Sequence, residues 1–253
     1  MRAARRLAAV LALALPHAPA WGESLVTTIS SGHVQINSTY TGAELVVFGV
    51  IERDGRVGAR TDAYDVVVTA RGPEGNTVVR EKVRFGPIWM NLDQRKFVGV
   101  PATLAVLSNR PLADIAEPHL RRRYRLGLDM QVGPGGTDPA WDAAFLDALI
   151  RLKTDGRLYA QDPKGVDFLT PNIFKATVPV PATAPVGAYR VDVSLLAGGV
   201  EIARSATGFA VAKVGFEAAV ARSARQHGIF YGLATVGIAL AFGYLATIIF
   251  RRD

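Results

Sequence analysis

An uncharged stretch near the C-terminus constrains this chain more than any other feature. No charged residue occurs from Gly228 to Phe250, and the stretch is rich in Ala, Gly, Ile and Leu. At ~1.5 Å of rise per residue, a helix of this length crosses the ~30 Å hydrocarbon core of a bilayer. A core helix of a soluble protein is the alternative, but such helices rarely lack a polar face over this length. The sequence therefore predicts one transmembrane helix over residues 228–250.

The N-terminus has the pattern of an export signal. Arginines precede an apolar run from Leu7 to Leu15, and Ala18-Pro19-Ala20 supplies the small residues that signal peptidase recognises. The run is too short to span a bilayer as a helix. We therefore expect a cleaved signal peptide over residues 1–20, the alternative being an uncleaved N-terminal anchor.

The charges at the two ends of the chain indicate its topology. Arg251 and Arg252 follow the apolar stretch directly, and such residues favour the cytoplasmic side. This predicts a single-pass protein of the bacterial inner membrane, with residues 21–227 in the periplasm and 251–253 as a cytoplasmic tail. The net charge of +7 falls to +3 without the two ends, leaving 24 basic and 21 acidic residues. Nucleic acid is therefore not an expected partner, whereas the lipid bilayer is.

Most of the exported region has the patterning of strands and turns. Residues 24–86 and 174–212 are rich in Val, Ile and Thr, with turn residues between the runs. In Thr77–Phe85, apolar and charged residues partly alternate, which predicts a half-buried strand with a charged outer face. Pro185–Val191 and Tyr64–Asn76 resemble hairpins of bacterial immunoglobulin-like domains.

The middle of the chain departs from this pattern. Residues 87–171 contain helix signals, including an apolar face from Trp141 to Leu152. We therefore predict a mainly β fold: an immunoglobulin-like β-sandwich over residues 21–212 with a largely helical insertion at about 87–171. Two separate small domains are the alternative. Residues 213–227 are expected to form a juxtamembrane helix leading into the membrane.

The sequence contains no recognisable catalytic motif. The chain has no Cys and four His, and the three His that follow the signal peptide are far apart, without the spacing of metal ligands. Sequence patterns of serine hydrolases, zinc proteases and phosphate-binding loops are also missing. We therefore expect a non-enzymatic protein without a metal or a cofactor.

Two segments of the exported region are candidates for binding. Arg121, Arg122, Arg123 and Arg125 surround Tyr124, and guanidinium groups suit oxyanions, carboxylates and lipid phosphates. The alternative is a solvated charged surface, which we favour. In Pro87–Asn91, Trp89 and Met90 are expected to form a buried cap on the sandwich, with an exposed apolar lip for a partner as the alternative.

Small residues recur at helical spacing in the predicted membrane helix. Gly228 and Gly232 form one small-xxx-small pair, and Ala239 and Gly243 form a second. Such residues allow the backbone of another transmembrane helix to approach closely. The alternative is that Gly and Ala are simply frequent in membrane helices.

The chain resembles the alphaproteobacterial transmembrane protein family along nearly its whole mature length. The resemblance rests on five segments: Gly42–Gly49, Tyr64–Val68, Leu104–Leu112, Phe168–Pro171 and His227–Thr235. It implies an accessory or assembly partner of a multi-span transporter, because members resemble proteins found beside sulfite-exporter-like (TauE/SafE-type) permeases. The expected partner is such a permease, or a second copy of this chain, contacted through the membrane helix. The alternative function is a periplasmic module that binds an anion or substrate and hands it to a transporter, and an enzyme is a third possibility.

Overall fold

The computed structural model describes residues 23–37, 39–52, 63–132, 139–215, 220 and 223–250. The predicted signal peptide and cytoplasmic tail lie outside the described residues. Within them the chain is mainly β, which confirms the predicted fold class. The immunoglobulin-like arrangement stays a prediction.

Two sheets contain most of the strands. The first has the order β1-β3-β10-β9 and is antiparallel throughout: β1 Ser24–Ile29, β3 Gly42–Glu52, β10 Ile173–Pro181 and β9 Val166–Thr170. The second has the order β2-β12-β11-β4-β7-β8, with parallel pairing at its two ends: β2 His33–Ile36, β12 Val200–Lys213, β11 Gly187–Ala197, β4 Tyr64–Arg71, β7 Leu104–Ser108 and β8 Tyr159–Asp162. The remaining strands, β5 Glu74–Phe85 and β6 Ile88–Pro101, form a separate long hairpin.

The two sheets share one apolar core. Along β3, exposed and buried residues alternate, as expected for a strand with one face inward. Val47 of β3, Phe174 of β10 and Val191 of β11 are fully buried in this core. The alternation in the sequence therefore specifies which face of β3 points inward.

A second core covers the opposite face of the six-stranded sheet. Val67, Val106 and Leu196 project from this face and pack with apolar residues of the helices and of the base of the hairpin. The helices in this part of the chain are α1 Leu112–Ile115, α2 Pro118–Tyr124, α3 Leu128–Gln131 and α4 Pro139–Asp155. Strands β4 and β11 are consequently buried on both faces.

The helical region is narrower than predicted. Helices occupy only residues 112–155, whereas 88–108 and 159–170 are largely strands, three of which complete the two sheets. Every residue of β7 is buried, and Leu104–Leu107 are all apolar, so the strand lacks the alternation that identifies a half-exposed strand. Residues 223–226 of the predicted juxtamembrane helix are helical, and part of the remainder lies outside the described residues.

Close packing between β3 and β10 requires a glycine. Gly49 lies opposite Phe174, and a Cβ on Gly49 would stand 2.0 Å from the Cζ atom of that ring. The ring is fully buried, so it has no open space to move into. The absence of a side chain at position 49 therefore allows the phenyl ring to fill the core.

We predict that Gly49→Ala lowers the free energy of unfolding by about 1–3 kcal/mol, the usual cost of overpacking a core. Gly75→Ala is the matched control, because a Cβ on this strand glycine meets nothing within 4 Å. Denaturant unfolding of the full chain in detergent measures both. Equal stability of the two variants would contradict the packing argument.

Candidate functional site

The β5–β6 hairpin projects beyond the rest of the fold. Its base is held in the second core by Val79 and Phe97, which are buried. Toward the turn the side chains become exposed, with Phe85 at 71% and Trp89 at 66%. The expectation of a buried cap at Pro87–Asn91 is therefore wrong, and the half-buried character predicted for Thr77–Phe85 holds only at the base. Alternation in a sequence shows which residues share a face, but not whether anything covers that face.

Cross-strand pairing separates the tip of the hairpin into two faces. Phe85 lies opposite Ile88, and Val83 lies opposite Met90, so these four apolar side chains project to one side. Trp89 lies opposite Arg84 on the other side. The backbone carbonyl of Gly86 accepts a hydrogen bond from Nε of Arg84 at 3.1 Å, which holds this arginine beside the turn.

The outer face of the hairpin is basic along its length. Following the same register, Lys82, Arg80 and Lys96 share the face of Arg84 and are exposed. Acidic residues Glu81 and Asp93 lie opposite each other on the other face, beyond the apolar tip. The hairpin thus combines an apolar end with a positively charged side, which is the composition of a surface that binds membranes or acidic partners.

The structure does not gather the four arginines of residues 121–125 into one site. Arg121, Arg122 and Arg123 occupy successive positions of α2, and successive residues of a helix point ~100° apart. Arg125 ends this helix in the left-handed conformation, with φ of 56°. Its guanidinium donates hydrogen bonds to the backbone carbonyls of Met130 and Gln131, both at 3.3 Å, and so fixes α3. Arg125 has a local structural role, and binding by the run stays a prediction.

A cleft of about 860 Å³ opens at one end of the sandwich. It lies where the start of β3 and the end of β10 meet β7, β8 and the end of α4, and most of its lining is apolar. Tyr189 and Phe209 stack at its floor, with ring centroids 4.8 Å apart. Glu44 and Arg157 are the charged residues of the lining. No sequence pattern indicates this cleft, because its residues come from distant parts of the chain.

Two buried tyrosines border the cleft. The hydroxyl of Tyr159 donates a hydrogen bond to the carbonyl of Pro101 at 2.8 Å, and that of Tyr189 donates to the carbonyl of Pro185 at 2.9 Å. Burial raises the pKa of both side chains, because the charged phenolate is disfavoured away from water. Both groups therefore act as hydrogen-bond donors at neutral pH, and neither is a base there.

The buried carboxylates are held by arginines. Asp65 accepts hydrogen bonds from Nε and Nη2 of Arg110 at 2.6 and 2.5 Å, and from the amide of Asn109 at 3.1 Å. Asp192 is paired with Arg71 and with Arg190. Both carboxylates are therefore engaged in ion pairs within the fold. In the part of the chain that the structure describes, no group of three His, Asp or Glu side chains could hold a metal ion.

The C-terminal helix α5 has the predicted bounds, Gly228–Phe250. Among the described residues it is the one helix long and apolar enough to cross a membrane. Its two threonines, Thr235 and Thr247, donate hydrogen bonds to the carbonyls of Tyr231 and Gly243, at 2.8 and 2.9 Å. These hydroxyls therefore need no partner outside the helix, which suits a lipid environment.

Four small residues of α5 share one side of the helix. At ~100° per residue, Gly228, Gly232, Ala239 and Gly243 fall within about 60° of one another, whereas Gly237 lies on the opposite side. A Cβ on any of the helix glycines would meet nothing within 4 Å. The small side is thus an open strip along the helix.

We predict that Tyr159 makes folding sensitive to alkaline pH. The folded pKa lies above the unfolded value of ~10, so stability is complete below pH ~10 and declines above it by up to about 1.4 kcal/mol per pH unit for this group. Tyr159→Phe should reduce that decline, while costing about 1 kcal/mol at neutral pH through the lost hydrogen bond. Chemical unfolding at several pH values measures both effects. Tyr124→Phe, at a partly exposed position, is the control. If the loss of stability at alkaline pH is equal in the two variants, the assignment to Tyr159 is contradicted.

The solved structures to which the chain is similar include two distant ones. Spo0M, a sporulation control protein from Bacillus subtilis, is 10% identical with a TM-score of 0.29, over 77% of this chain and 51% of that protein. The chain thus spans about half of Spo0M. BslA, described as a bacterial hydrophobin, is 13% identical with a TM-score of 0.25, over 78% of this chain and 99% of that protein.

No curated protein matches the chain by sequence. A family model matches residues 24–252, which include both sheets, the hairpin and the apolar helix. The chain therefore belongs to the family described as "Putative transmembrane protein (Alph_Pro_TM)".

Proposed function

We propose that this protein is a non-enzymatic accessory or assembly partner of a multi-span membrane transporter. The observation that carries the proposal is the strip of small residues along α5, which contains Gly228, Gly232, Ala239 and Gly243. Association of helices within lipid depends on close packing of backbones, because the lipid chains are as apolar as the side chains. A strip of this kind suits contact with another membrane helix.

The proposed arrangement places the β domain in the periplasm and α5 in the inner membrane. The signal-like N-terminus and the arginines at positions 251 and 252 support this orientation. The partner is a permease of the sulfite-exporter-like kind that the family resemblance implies, and a second copy of the chain is the alternative. The β domain then stands beside the transporter on its periplasmic side.

We predict that Gly232→Leu or Gly243→Leu weakens retention of the partner by tenfold or more. Leucine adds bulk where the backbones approach, but it does not impair insertion into the membrane. Gly237→Leu is the matched control, because it makes the same change on the opposite side of α5. Co-purification from native membranes, quantified by mass spectrometry, measures retention and identifies the partner. Equal retention in all three variants would refute the role of the strip.

A second candidate function is supported by the cleft. Its volume of about 860 Å³ lies within the range of small-molecule sites, and Arg157 is the cation of its lining. In this alternative the domain binds an anionic or organic substrate and passes it to the transporter. The cleft replaces the arginine run of α2 as the best location for such a site, because Arg125 is engaged within the fold.

For this second function we predict binding of sulfite, sulfate or taurine to the full chain in detergent, measured by isothermal titration calorimetry. Arg157→Gln should weaken binding at least tenfold, since a charge-assisted hydrogen bond contributes about 1.5–3 kcal/mol. Arg123→Gln is the control for the loss of one exposed charge. Absence of heat at millimolar ligand would rule out these three compounds as substrates.

A further inference from the structure

We propose that the tip of the β5–β6 hairpin docks onto the anionic surface of the same bilayer that α5 enters. The docking surface consists of Phe85, Ile88, Trp89, Met90 and Leu92, together with Lys82 and Arg84. It gives the β domain a second contact with the membrane, separate from α5 and independent of any transporter partner. The proposal rests on exposure, charge and chain length.

The apolar part of this surface is open to solvent. Phe85, Trp89 and Leu92 are all more than half exposed, and Ile88 is 55% exposed. If a large side chain offers about 150–250 Å² in full, the five together expose on the order of 500–600 Å². A specific protein interface needs roughly 800 Å² on each partner, so the tip is small for a protein partner. A bilayer requires no minimum contact area, because binding strengthens with each apolar side chain that enters it.

The charges of the tip have one sign. From position 82 to 92 the chain carries Lys82 and Arg84 and no acidic residue. Arg84 lies opposite Trp89, so a cation and an indole share one face beside the turn. Tryptophan favours the boundary between headgroups and acyl chains, while arginine and lysine reach the phosphates with their long stems. The complementary partner is a surface of anionic phospholipid.

The tether keeps the tip close to the bilayer. Strand β12 ends at Lys213 and α5 begins at Gly228, which leaves fourteen residues between them. Fully extended at ~3.3–3.6 Å per residue, this segment spans at most about 50 Å. The hairpin itself extends about 20 Å from the buried Val79 to Phe85, at ~3.3 Å per residue. Because α5 holds the domain near the bilayer, the effective concentration of the hairpin tip at the bilayer surface is high.

The backbone limits how deeply the tip can enter. Strands β5 and β6 pair only with each other in the described chain, so each has a second edge without a neighbouring strand. Backbone groups on such an edge need water or headgroups, and hydrocarbon offers neither. The tip consequently rests in the interfacial layer and does not cross the membrane. This depth is also the one preferred by Trp89.

The test uses the absence of cysteine from the chain, so that one introduced thiol gives one labelled position. Ile88→Cys places an NBD fluorophore on the tip, and Leu169→Cys places it on β9 at nearly equal exposure, 54% against 55%. The full-length variants are reconstituted in phosphatidylcholine vesicles with and without phosphatidylglycerol. A nitroxide-labelled lipid reports contact with the bilayer by quenching. A label at Phe85→Cys provides a second position on the tip.

We expect blue-shifted emission and lipid quenching for labels at the tip, strongest in vesicles with phosphatidylglycerol, and emission typical of water for the label on β9. Replacing Lys82 and Arg84 by Gln should lower the ratio of docked to undocked protein by about 25-fold, or about fivefold per charge near an anionic surface. Arg151→Gln with Lys164→Gln removes two exposed charges, one on α4 and one between β8 and β9, and should have no effect.

Three outcomes would overturn the proposal. The first is that labels at the tip are as exposed to water as the label on β9. The second is that the tip label of the double Gln variant is quenched by the nitroxide lipid as strongly as that of the parent. The third is contact that appears only when native membrane proteins are reconstituted together with the chain, which would indicate a protein partner. Because the first two outcomes are measured in vesicles that contain lipid and this chain alone, they are separate from retention of a partner by α5.

Discussion

Burial of β4 and β11 on both faces is the constraint on which the rest of this fold depends. The two strands pair antiparallel over eight residues of register, from Arg190–Arg71 to Ala197–Tyr64. Val66 and Val193 point into the core between the sheets, whereas Val67 and Leu196 point to the other side. A sheet with two apolar faces is stable only if both are covered. The four-stranded sheet covers one face, and the helices of residues 112–155 with the base of the hairpin cover the other.

The second face also carries buried charges. Asp65 on β4 and Asp192 on β11 lie among these buried strand residues, and each is paired with arginine. An unpaired carboxylate at such a depth would strongly destabilise the fold, so the arginine partners are needed for stability. The arginines reach outward, with Arg110 about half exposed, which places their charge near solvent. The Asp65–Arg110 pair thereby links β4 to the segment that follows β7, and the Asp192–Arg71 pair links β11 to β4.

The parts of the structure that could be predicted from the sequence are those that a long local pattern determines. The apolar helix was identified because a run of uncharged residues is sufficient evidence by itself, and the mainly β class followed from repeated Val-rich segments. Strands β7 and β8 were missed because they are short and pair parallel with each other, so no hairpin turn marks them. The cleft combines residues from 41 to 209, and only the fold brings them together. The exposure of Trp89 was likewise not predictable, because it depends on the absence of a covering layer.

If the hairpin docks as proposed, the hairpin and α5 together restrict the orientation of the β domain relative to the membrane. Residues 214–227 give the β domain one connection to α5, whereas a second contact with the bilayer would restrict the orientation of the domain further. The loss of orientational freedom is small for a domain already tethered, because the effective concentration of the tip at the surface is high. A modest apolar tip with two cations is therefore sufficient, although the same tip on a free soluble domain would bind membranes weakly. A domain fixed in this way would present the same side, and the same cleft, to whatever protein lies beside α5.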